Sequence, residues 1–426
     1  MKKVFWITSF FPPRINVATN RNVKFLKYLA QYEWEALVAC PKETLDQTKT
    51  SRRLMSQIGS AVTVLPMPSD PFFFLHDRAD VNKMAKYLGY LINNIIPPDG
   101  HIFWSLLALN QIGKEMKKHK PDIVYTTCSP FSINLIGLWV KLKYHVPWVT
   151  DFRDLWTLNP DRKRFLSSYH HVISNVIEKV YLNYCDALIV NTDASKSRMV
   201  DKYPFLKNKT CIIPNGFDPE DIPTENQSPI ENSFFYGGLI DRASNYTPLP
   251  ILKLLSRLED KGLLNFPWEL HYAGNEGSDF IDLCVLAGIN GRERTHGYLD
   301  HGIFYGLIQS MDYVIVCMPR DVDTSSWIPA RFYDYIGNKS RIICLAPRES
   351  ELASIIKQYG KGVTLFYDEP EDIQIKKLHA FIVAHKDNSM VSEEFIERFS
   401  RKNLALQLSQ IFNHVSMNSN ERVRNA

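Results

Sequence analysis

The chain has 426 residues, which is too long for one ordinary hydrophobic core, so its length predicts two domains. Hydrophobic residues make up 45% and charged residues 23%, which is typical of a globular rather than a disordered chain. The formal net charge of +4 suits anionic small molecules or a membrane surface, but it is too small to predict a nucleic-acid partner.

Cysteine usage and apolar runs predict a cytoplasmic protein. The seven cysteines form no CxxC pair and lie mostly in or beside apolar segments, which is typical of reduced core residues. The first apolar run ends at Pro12 without a cleavage site, which favours a strand over a secretory signal. The longest apolar stretches are shorter than the ~20 residues of a membrane-spanning helix. No histidine spacing typical of a metal site occurs.

The first half of the chain alternates apolar segments with helix-like segments. Strands are predicted at residues 4–10, 34–40, 61–67, 122–128, 146–152 and 185–191. Because these segments are apolar throughout, we expect them to be buried on both faces of a parallel sheet. Residues 70–105 interrupt the alternation and are predicted to be an irregular insertion.

A second series of the same kind begins near residue 211. Its strands are predicted at residues 234–240, 268–274, 295–299, 312–319, 341–347 and 362–367, and a helix is predicted at 249–260. The pattern predicts an α/β protein with two doubly wound, Rossmann-like domains, at residues 1–210 and 211–400. An amphipathic helix at 401–415 and a disordered tail at 416–426 follow.

Polar groups at the predicted strand ends are the candidate site residues, because ligands of open parallel sheets bind beyond the carboxyl ends of the strands. In the first domain, DFRDLW contains Asp151, Arg153 and Asp154. These ionisable groups beside aromatic residues indicate a functional site. The alternative is a local salt bridge that orders the loop.

In the second domain, GGLIDR contains Gly237, Gly238 and Arg242. Glycines let the backbone approach an anion closely, and arginine binds phosphate with two hydrogen bonds. A flexible turn with a surface arginine is the alternative. The chain has neither GxGxxG nor GxxxxGK[ST], which argues against a nicotinamide enzyme and a P-loop NTPase.

The segment IPARFYDY precedes a predicted buried strand and contains Asp334. Pro329 is predicted to lie in the first turn of a helix, where its missing amide costs nothing. Asp334 then lies one to two turns further on, where the helix dipole favours a carboxylate only weakly. We therefore favour a carboxylate directed at a ligand over one that only stabilises the helix start.

The order and spacing of several segments resemble the retaining, metal-independent sugar-nucleotide transferases of glycosyltransferase family 4, which have the GT-B fold. The segments are SFFPPRINVATNR, PWVTDFRDLW, IPNGFD, THGYLDH and IPARFYDYIGNKSRIICLAP. This resemblance implies two Rossmann-like domains facing across a cleft, and a C-terminal helix that crosses back to the first domain. It also implies a nucleoside diphosphate sugar on the second domain, an acceptor on the first, and neither a cofactor nor a metal.

The resemblance also implies roles for single residues. Arg331 would face the diphosphate together with Gly237, Gly238 and Arg242. Tyr298 would contact the base, and Asp334 would bind the ribose hydroxyls. The candidate catalytic residues are Asp151, Arg153 and Asp154. The two aspartates would position or deprotonate the acceptor hydroxyl.

Three departures from the family pattern keep other functions open. Asn16 begins the segment that replaces a glycine pair, Thr247 replaces a basic residue, and Ser326 replaces an earlier glutamate. The sequence thus predicts a transferase of bacterial surface polysaccharide synthesis (O-antigen, capsule or exopolysaccharide), cytoplasmic or peripheral at the inner membrane. The alternatives are a sugar-nucleotide epimerase or hydrolase on the same scaffold and a catalytically inactive GT-B partner protein.

Overall fold

The structure is a computed structural model. It describes residues 1–42, 48–71, 83–159, 167–224, 227–242, 246–320, 323, 325–384 and 391–424. The chain forms two compact units, Met1–Pro214 together with Lys402–Ala426, and Asn215–Arg401.

The first unit contains a parallel sheet of seven strands in the order β3-β2-β1-β4-β5-β6-β7. The strands are β1 (Lys2–Ile7), β2 (Trp34–Pro41), β3 (Val62–Met67), β4 (Ile123–Cys128), β5 (Trp148–Phe152), β6 (Ala187–Val190) and β7 (Thr210–Ile212). Six of them lie where the apolar segments predict them. The last one pairs with β6, so the predicted domain boundary at 210/211 falls inside this sheet and the units meet at 214/215 instead.

Helices cover both faces of this sheet, as its continuously apolar strands require. They are α1 (Val17–Leu29), α2 (Lys49–Ser56), α3 (Lys83–Ile95), α4 (Ile102–His119), α5 (Ile133–Tyr144), α6 (Ser168–Tyr184) and α7 (Asp193–Lys202). The segment 70–105, predicted to be irregular, instead contains α3 and the start of α4. Residues 72–82 of this segment lie outside the described part of the chain.

The second unit contains a parallel sheet of six strands in the order β10-β9-β8-β11-β12-β13. The strands are β8 (Ile230–Gly237), β9 (Glu269–Ala273), β10 (Glu293–Thr295), β11 (Met311–Cys317), β12 (Arg341–Ala346) and β13 (Gly362–Phe366). The strand predicted at 295–299 ends earlier, at Thr295, because only residues 293–295 pair with β9.

The helices of the second unit also lie on both faces of its sheet. They are α8 (Leu249–Asp260), α9 (Gly277–Ala287), α10 (His301–Ser310), α11 (Ala330–Gly337), α12 (Glu351–Tyr359), α13 (Glu371–Val383) and α14 (Glu393–Arg398). Pro329 directly precedes α11 in an extended conformation, so it caps the helix rather than lying within its first turn.

The last helix, α15 (Arg401–Arg424), returns to the first unit, as the family resemblance implies. Its apolar side packs Leu404, Leu408 and Phe412 into a core cluster with Trp6 and Trp34 of the first sheet. The helix continues through residues 416–424, where a disordered tail was expected. Among the described residues, none of the helices combines the length and apolar character needed to cross a bilayer.

Strand order reverses once in each sheet. In the second unit β8 pairs with β9 on one side and β11 on the other, and in the first unit β1 pairs with β2 and β4. Ligands of doubly wound sheets bind at these reversal points, beyond the carboxyl ends of the two strands. The loops after β8 and β11 therefore define the candidate site of the second unit.

Candidate functional site

A glycine turn ends β8 at the reversal point of the second sheet. Gly238 has a φ of +104°, a conformation that side-chain-bearing residues rarely adopt. Its amide donates a hydrogen bond to the carbonyl of Ala273 at 2.8 Å, which ties the turn to the neighbouring strand β9. A Cβ at this position would lie 2.9 Å from Cζ of Arg331. The backbone conformation therefore favours glycine here, and a Cβ would also displace the guanidinium of Arg331.

Arg331, in the first turn of α11, holds its guanidinium against this turn. The guanidinium lies 4.8 Å from the ring centre of Tyr236 and 5.3 Å from that of Tyr246, and Nη2 donates to the Tyr246 hydroxyl at 2.6 Å. Its Nη1 is buried and has no hydrogen-bond partner within the described residues. No carboxylate among the described residues forms an ion pair with it. Burial by itself lowers the pKa of this guanidinium, but the hydroxyls of Tyr236, Tyr246 and Tyr335 outweigh burial and raise the pKa.

The surrounding hydroxyls favour the charged guanidinium but carry no formal negative charge, so its positive charge is left for an anionic ligand. An arginine with an unused N–H donor at a strand-end glycine turn is a suitable binding group for a phosphate or carboxylate. The site around Arg331 therefore fits an anionic ligand.

Asp334 lies three residues after Arg331, on a neighbouring position of the same helix face. Its Oδ1 accepts a hydrogen bond from the Tyr305 hydroxyl at 2.5 Å. Burial raises the pKa of the Asp334 carboxyl, although His301, the Tyr305 hydrogen bond and Arg401 act in the opposite direction. The fold thus holds a partly desolvated carboxylate one helical turn from the cationic site.

Gly237 is the last residue of β8, next to Gly238, and the other two predicted donor-site residues lie elsewhere in the second unit. Arg242 reaches the acidic residues of α9, with Nε 3.3 Å from Asp279 and Nη2 3.0 Å from Asp282. Tyr298 is exposed. The structure brings together Gly238 and Arg331 with Asp334 nearby on α11, whereas it directs Arg242 away from them.

In the first unit, Asp151 is fully buried at the centre of an internal network. It accepts hydrogen bonds from Arg21 Nε at 3.2 Å and from the Tyr125 hydroxyl at 2.6 Å. The same guanidinium donates to the carbonyls of Ile213 and Pro214 at 3.0 and 2.7 Å, where the chain leaves this unit. This placement favours the alternative of a structural salt bridge for Asp151.

Arg153 also has its donors engaged. Nε donates to the carbonyl of Cys128 and Nη2 to that of Ser129, each at 2.9 Å, which fixes the loop after β4. Burial lowers the pKa of this guanidinium, although Asp154 and Asp151 act in the opposite direction. Of the three predicted catalytic residues, Asp151 is buried, Arg153 is half-buried and Asp154 is exposed to solvent.

The first unit contains a second polar cluster that the sequence did not predict. His101 Nδ1 lies 2.5 Å from a carboxylate oxygen of Asp70, and Asp99 accepts from the amides of Phe131 and Ser132 before α5. Burial by itself lowers the pKa of His101, but Asp70 and Asp99 outweigh it and raise the pKa above its ordinary value. Because these residues come from separate segments, no local motif connects them.

A cavity of about 840 Å³ in the first unit lies away from the reversal point. Its lining residues include Asp186 and Lys209, at the amino ends of β6 and β7, and Ile411 of α15. Amino ends of parallel strands are not where doubly wound sheets bind their ligands. Despite its size, we therefore do not regard this cavity as the candidate site, which lies beyond the carboxyl ends of β8 and β11 in the second unit.

Two Rossmann-like units of this topology define the GT-B fold, and solved structures with that fold match nearly the whole chain. Sucrose-phosphate synthase from Thermosynechococcus elongatus has a TM-score of 0.63 at 12% identity, covering 97% of this chain and 99% of that one. WaaG, a glycosyltransferase involved in lipopolysaccharide biosynthesis, has a TM-score of 0.54 at 11% identity over 98% of both chains. UDP-GlcNAc 2-epimerase from Methanocaldococcus jannaschii also has a TM-score of 0.54 at 11% identity, covering 97% and 100%. The predicted GT-B fold is confirmed.

Sequence comparison identifies the family that the first unit resembles. Residues 26–221 match the family model described as Glycosyltransferase Family 4. The uncharacterized glycosyltransferase MJ1059 of Methanocaldococcus jannaschii is 26% identical over 137 residues, which are 31% of this chain and 34% of the relative. The chain thus aligns with about a third of that relative's length. The resemblance predicted from the motifs is confirmed for this part of the chain.

Proposed function

We propose that this protein is a glycosyltransferase that moves a sugar from a nucleoside diphosphate donor to a glycan or lipid-linked acceptor, with retention of configuration. The observation that carries this proposal is the guanidinium of Arg331, which lies against Gly238 and has a buried, unpartnered Nη1 and no carboxylate partner among the described residues. A diphosphate is the anionic ligand that the resemblance of GGLIDR and IPARFYDY to the family pattern implies for this site, whereas the family model itself matches residues 26–221.

In the proposed reaction, the bond between the anomeric carbon and the diphosphate oxygen breaks, and negative charge develops on the departing diphosphate. Arg331 and the backbone of the turn at Gly238 would stabilise that charge because they are already in place before reaction. We propose that these groups take the place of a metal ion, as the family resemblance implies. Arg242 would join them only by leaving its contacts with α9.

Asp334 would bind the ribose hydroxyls of the donor. Tyr305 holds Oδ1, so Oδ2 is the oxygen that would accept a hydrogen bond from ribose. An aspartate reaches one methylene less far than the glutamate of the family pattern, so a ribose bound directly must come closer to α11. Tyr298, exposed after β10, would contact the base.

The acceptor would bind to the first unit, and we place the reaction in bacterial surface polysaccharide synthesis at the cytoplasmic face of the inner membrane. One face of α4 supports contact with anionic lipid: Phe103, Leu106 and Leu107 are exposed near its start. The same face carries the exposed Lys114, Lys117 and Lys118 near its end. Apolar side chains rimmed by lysines are typical of helices that lie at a membrane surface.

A panel of UDP-, GDP- and dTDP-sugars tests the proposal, with thermal shift and nucleotide release measured with and without a lipid-linked glycan fraction. We expect one nucleotide class to stabilise the protein, and nucleotide release that requires the acceptor. No stabilisation by any nucleotide would contradict the proposal and favour an inactive partner protein. Conversion of the sugar nucleotide without acceptor would favour an epimerase or hydrolase, since UDP-GlcNAc 2-epimerase shares the fold.

A further inference from the structure

Helix α6 of the first unit presents an apolar stripe to solvent. Five side chains three or four residues apart are exposed to 63, 62, 61, 38 and 48%: Tyr169, Val172, Val176, Val180 and Tyr184. Residues at this spacing share one helix face, so the five form a continuous stripe. The opposite face is buried through His170, Ser174, Glu178, Tyr181 and Leu182. We call the five exposed residues the α6 stripe.

The chemistry of this face is unusual for a solvated helix. The other exposed residues of the helix are Ser168, Lys179 and Asn183, so Lys179 is its one exposed charge. Exposed apolar areas of this kind in soluble proteins mark sites of interaction. Elsewhere in the first unit, the exposed face of α4 combines its apolar residues with Lys114, Lys117 and Lys118. A lipid surface fits α4, whereas the nearly uncharged α6 stripe fits an apolar protein surface.

We propose that the α6 stripe binds the α6 stripe of a second copy of this chain, with the two helices antiparallel about a twofold axis near Val176. The order of the side chains along the stripe is the observation that supports a second copy as the partner. It reads tyrosine, valine, valine, valine, tyrosine, and is almost symmetric about its middle residue. Antiparallel pairing therefore places Val172 opposite Val180 and Tyr169 opposite Tyr184.

A twofold homodimer needs one surface that complements itself, and the α6 stripe meets this condition. The row Val172, Val176, Val180 and Tyr184 follows the four-residue ridge that packs into the groove of a facing helix. Two stripes together would bury on the order of 1,000 Å², which is near the lower limit of specific interfaces. The isolated charge of Lys179 lies at the rim of the stripe, where it remains solvated.

The oligomeric state of the full chain tests the proposal, by sedimentation velocity or light scattering over a range of protein concentrations. We expect the wild-type protein to form a dimer of twice the mass of the chain. Val176→Asp places a carboxylate on each side of the axis, so it should weaken dimerisation on the order of 100-fold or more. The matched control is Leu286→Asp on α9, an equally exposed leucine of the second unit, which should leave the dimer intact.

Oxidative cross-linking tests the pairing directly and does not depend on how well Val176→Asp folds. Val176→Cys should cross-link with itself, and Val172→Cys should cross-link with Val180→Cys in a mixture but not with itself. Six of the seven native cysteines are buried, which limits background reaction. A monomer at all concentrations would overturn the proposal, as would a dimer insensitive to Val176→Asp. Vesicle binding that Val176→Asp abolishes, without dimerisation, would also overturn it and assign the stripe to lipid.

Discussion

The guanidinium of Arg331 lies so close to the backbone of Gly238 that a Cβ on this glycine would be 2.9 Å from Cζ and would displace it. The turn and the arginine therefore form one unit, in which the glycine conformation determines where the cationic group lies. We expect that a change at either residue alters the other.

Gly238→Ala should weaken nucleotide binding at least about tenfold and destabilise the second unit by about 1–3 kcal/mol, since a φ of +104° is strained for alanine and its methyl displaces Arg331. Isothermal calorimetry and denaturant unfolding measure the two effects. Gly59→Ala, where a Cβ meets no atom within 4 Å, is the control and should change stability by less than about 0.5 kcal/mol. Unchanged binding by Gly238→Ala would place the diphosphate elsewhere.

Arg331→Gln should reduce nucleotide affinity by about 10- to 100-fold, because it removes charge-assisted hydrogen bonds to the diphosphate. Arg341→Gln is a matched control. Arg341 also lies over a tyrosine ring, 4.8 Å from the centre of Tyr313, but it is at the amino end of β12. A competition assay with a fluorescent nucleotide compares them; equal loss in both variants would contradict a specific role for Arg331.

Asp334→Asn should weaken nucleotide binding and at the same time raise the melting temperature by about 1–3 °C near neutral pH. Burial raises the pKa of Asp334 in the folded protein, so its protonated form favours folding below the ordinary carboxyl pKa. That contribution is lost as pH rises through the folded-state pKa. The gain in stability of Asp334→Asn over wild type should therefore increase with pH, and a gain that shrinks with pH would contradict the shift.

Asp151→Ala should destabilise the first unit by about 3–5 kcal/mol, because it leaves the buried guanidinium of Arg21 without its carboxylate. Asp154→Ala removes an exposed carboxylate from the same loop and should leave unfolding unchanged within about 0.5 kcal/mol. Urea unfolding compares the two. If Asp151→Ala folds as stably as wild type and loses only activity, the catalytic interpretation of Asp151 is preferred over the structural one.

His101→Gln should destabilise the protein more at about pH 6 than at about pH 9, because the raised pKa keeps an imidazolium beside Asp70 in the folded state. This stabilisation is present below the ordinary histidine pKa and is lost as pH rises through the folded-state value. The charged groups that act on His101 are Asp70, Asp99 and Arg14, and the first two favour its charged form. Melting temperatures across this pH range measure the difference; a constant difference would exclude the ion pair.

Strand positions were predictable because burial on both faces leaves a local, continuous apolar signal. Residues 122–128 and 341–347 predict β4 and β12 to within about one residue of their ends. The strand at 295–299 was misplaced, since β10 is an edge strand that carries Glu293 and Arg294 and lacks such a signal. The prediction of an irregular insertion at residues 70–105 was also wrong. There α3 and α4 follow one another without a strand between them, so the alternation of strands and helices is interrupted by helices.

Site residues were predictable only in part. Arg331 and Asp334 share one helix turn, so their spacing in the sequence already implies that they lie together. The contact of Arg331 with Gly238 depends on strand order, because β8 and β11 are neighbours in the sheet but about 80 residues apart in the chain. The partners of Asp151 and of His101 likewise come from distant segments, and a local motif does not distinguish a buried ion pair from a catalytic group.

Helix α15 also determines the order in which the protein can complete its folding during synthesis. Phe412 packs edge-to-face against Trp34 and Tyr125, so the core of the first unit includes residues that are made only after the whole second unit. The second unit is continuous in sequence and can fold while the first still exposes an apolar groove on the nascent chain. Truncation before Leu404 should therefore yield a first unit that aggregates or binds chaperones, whereas residues 215–401 alone should stay soluble.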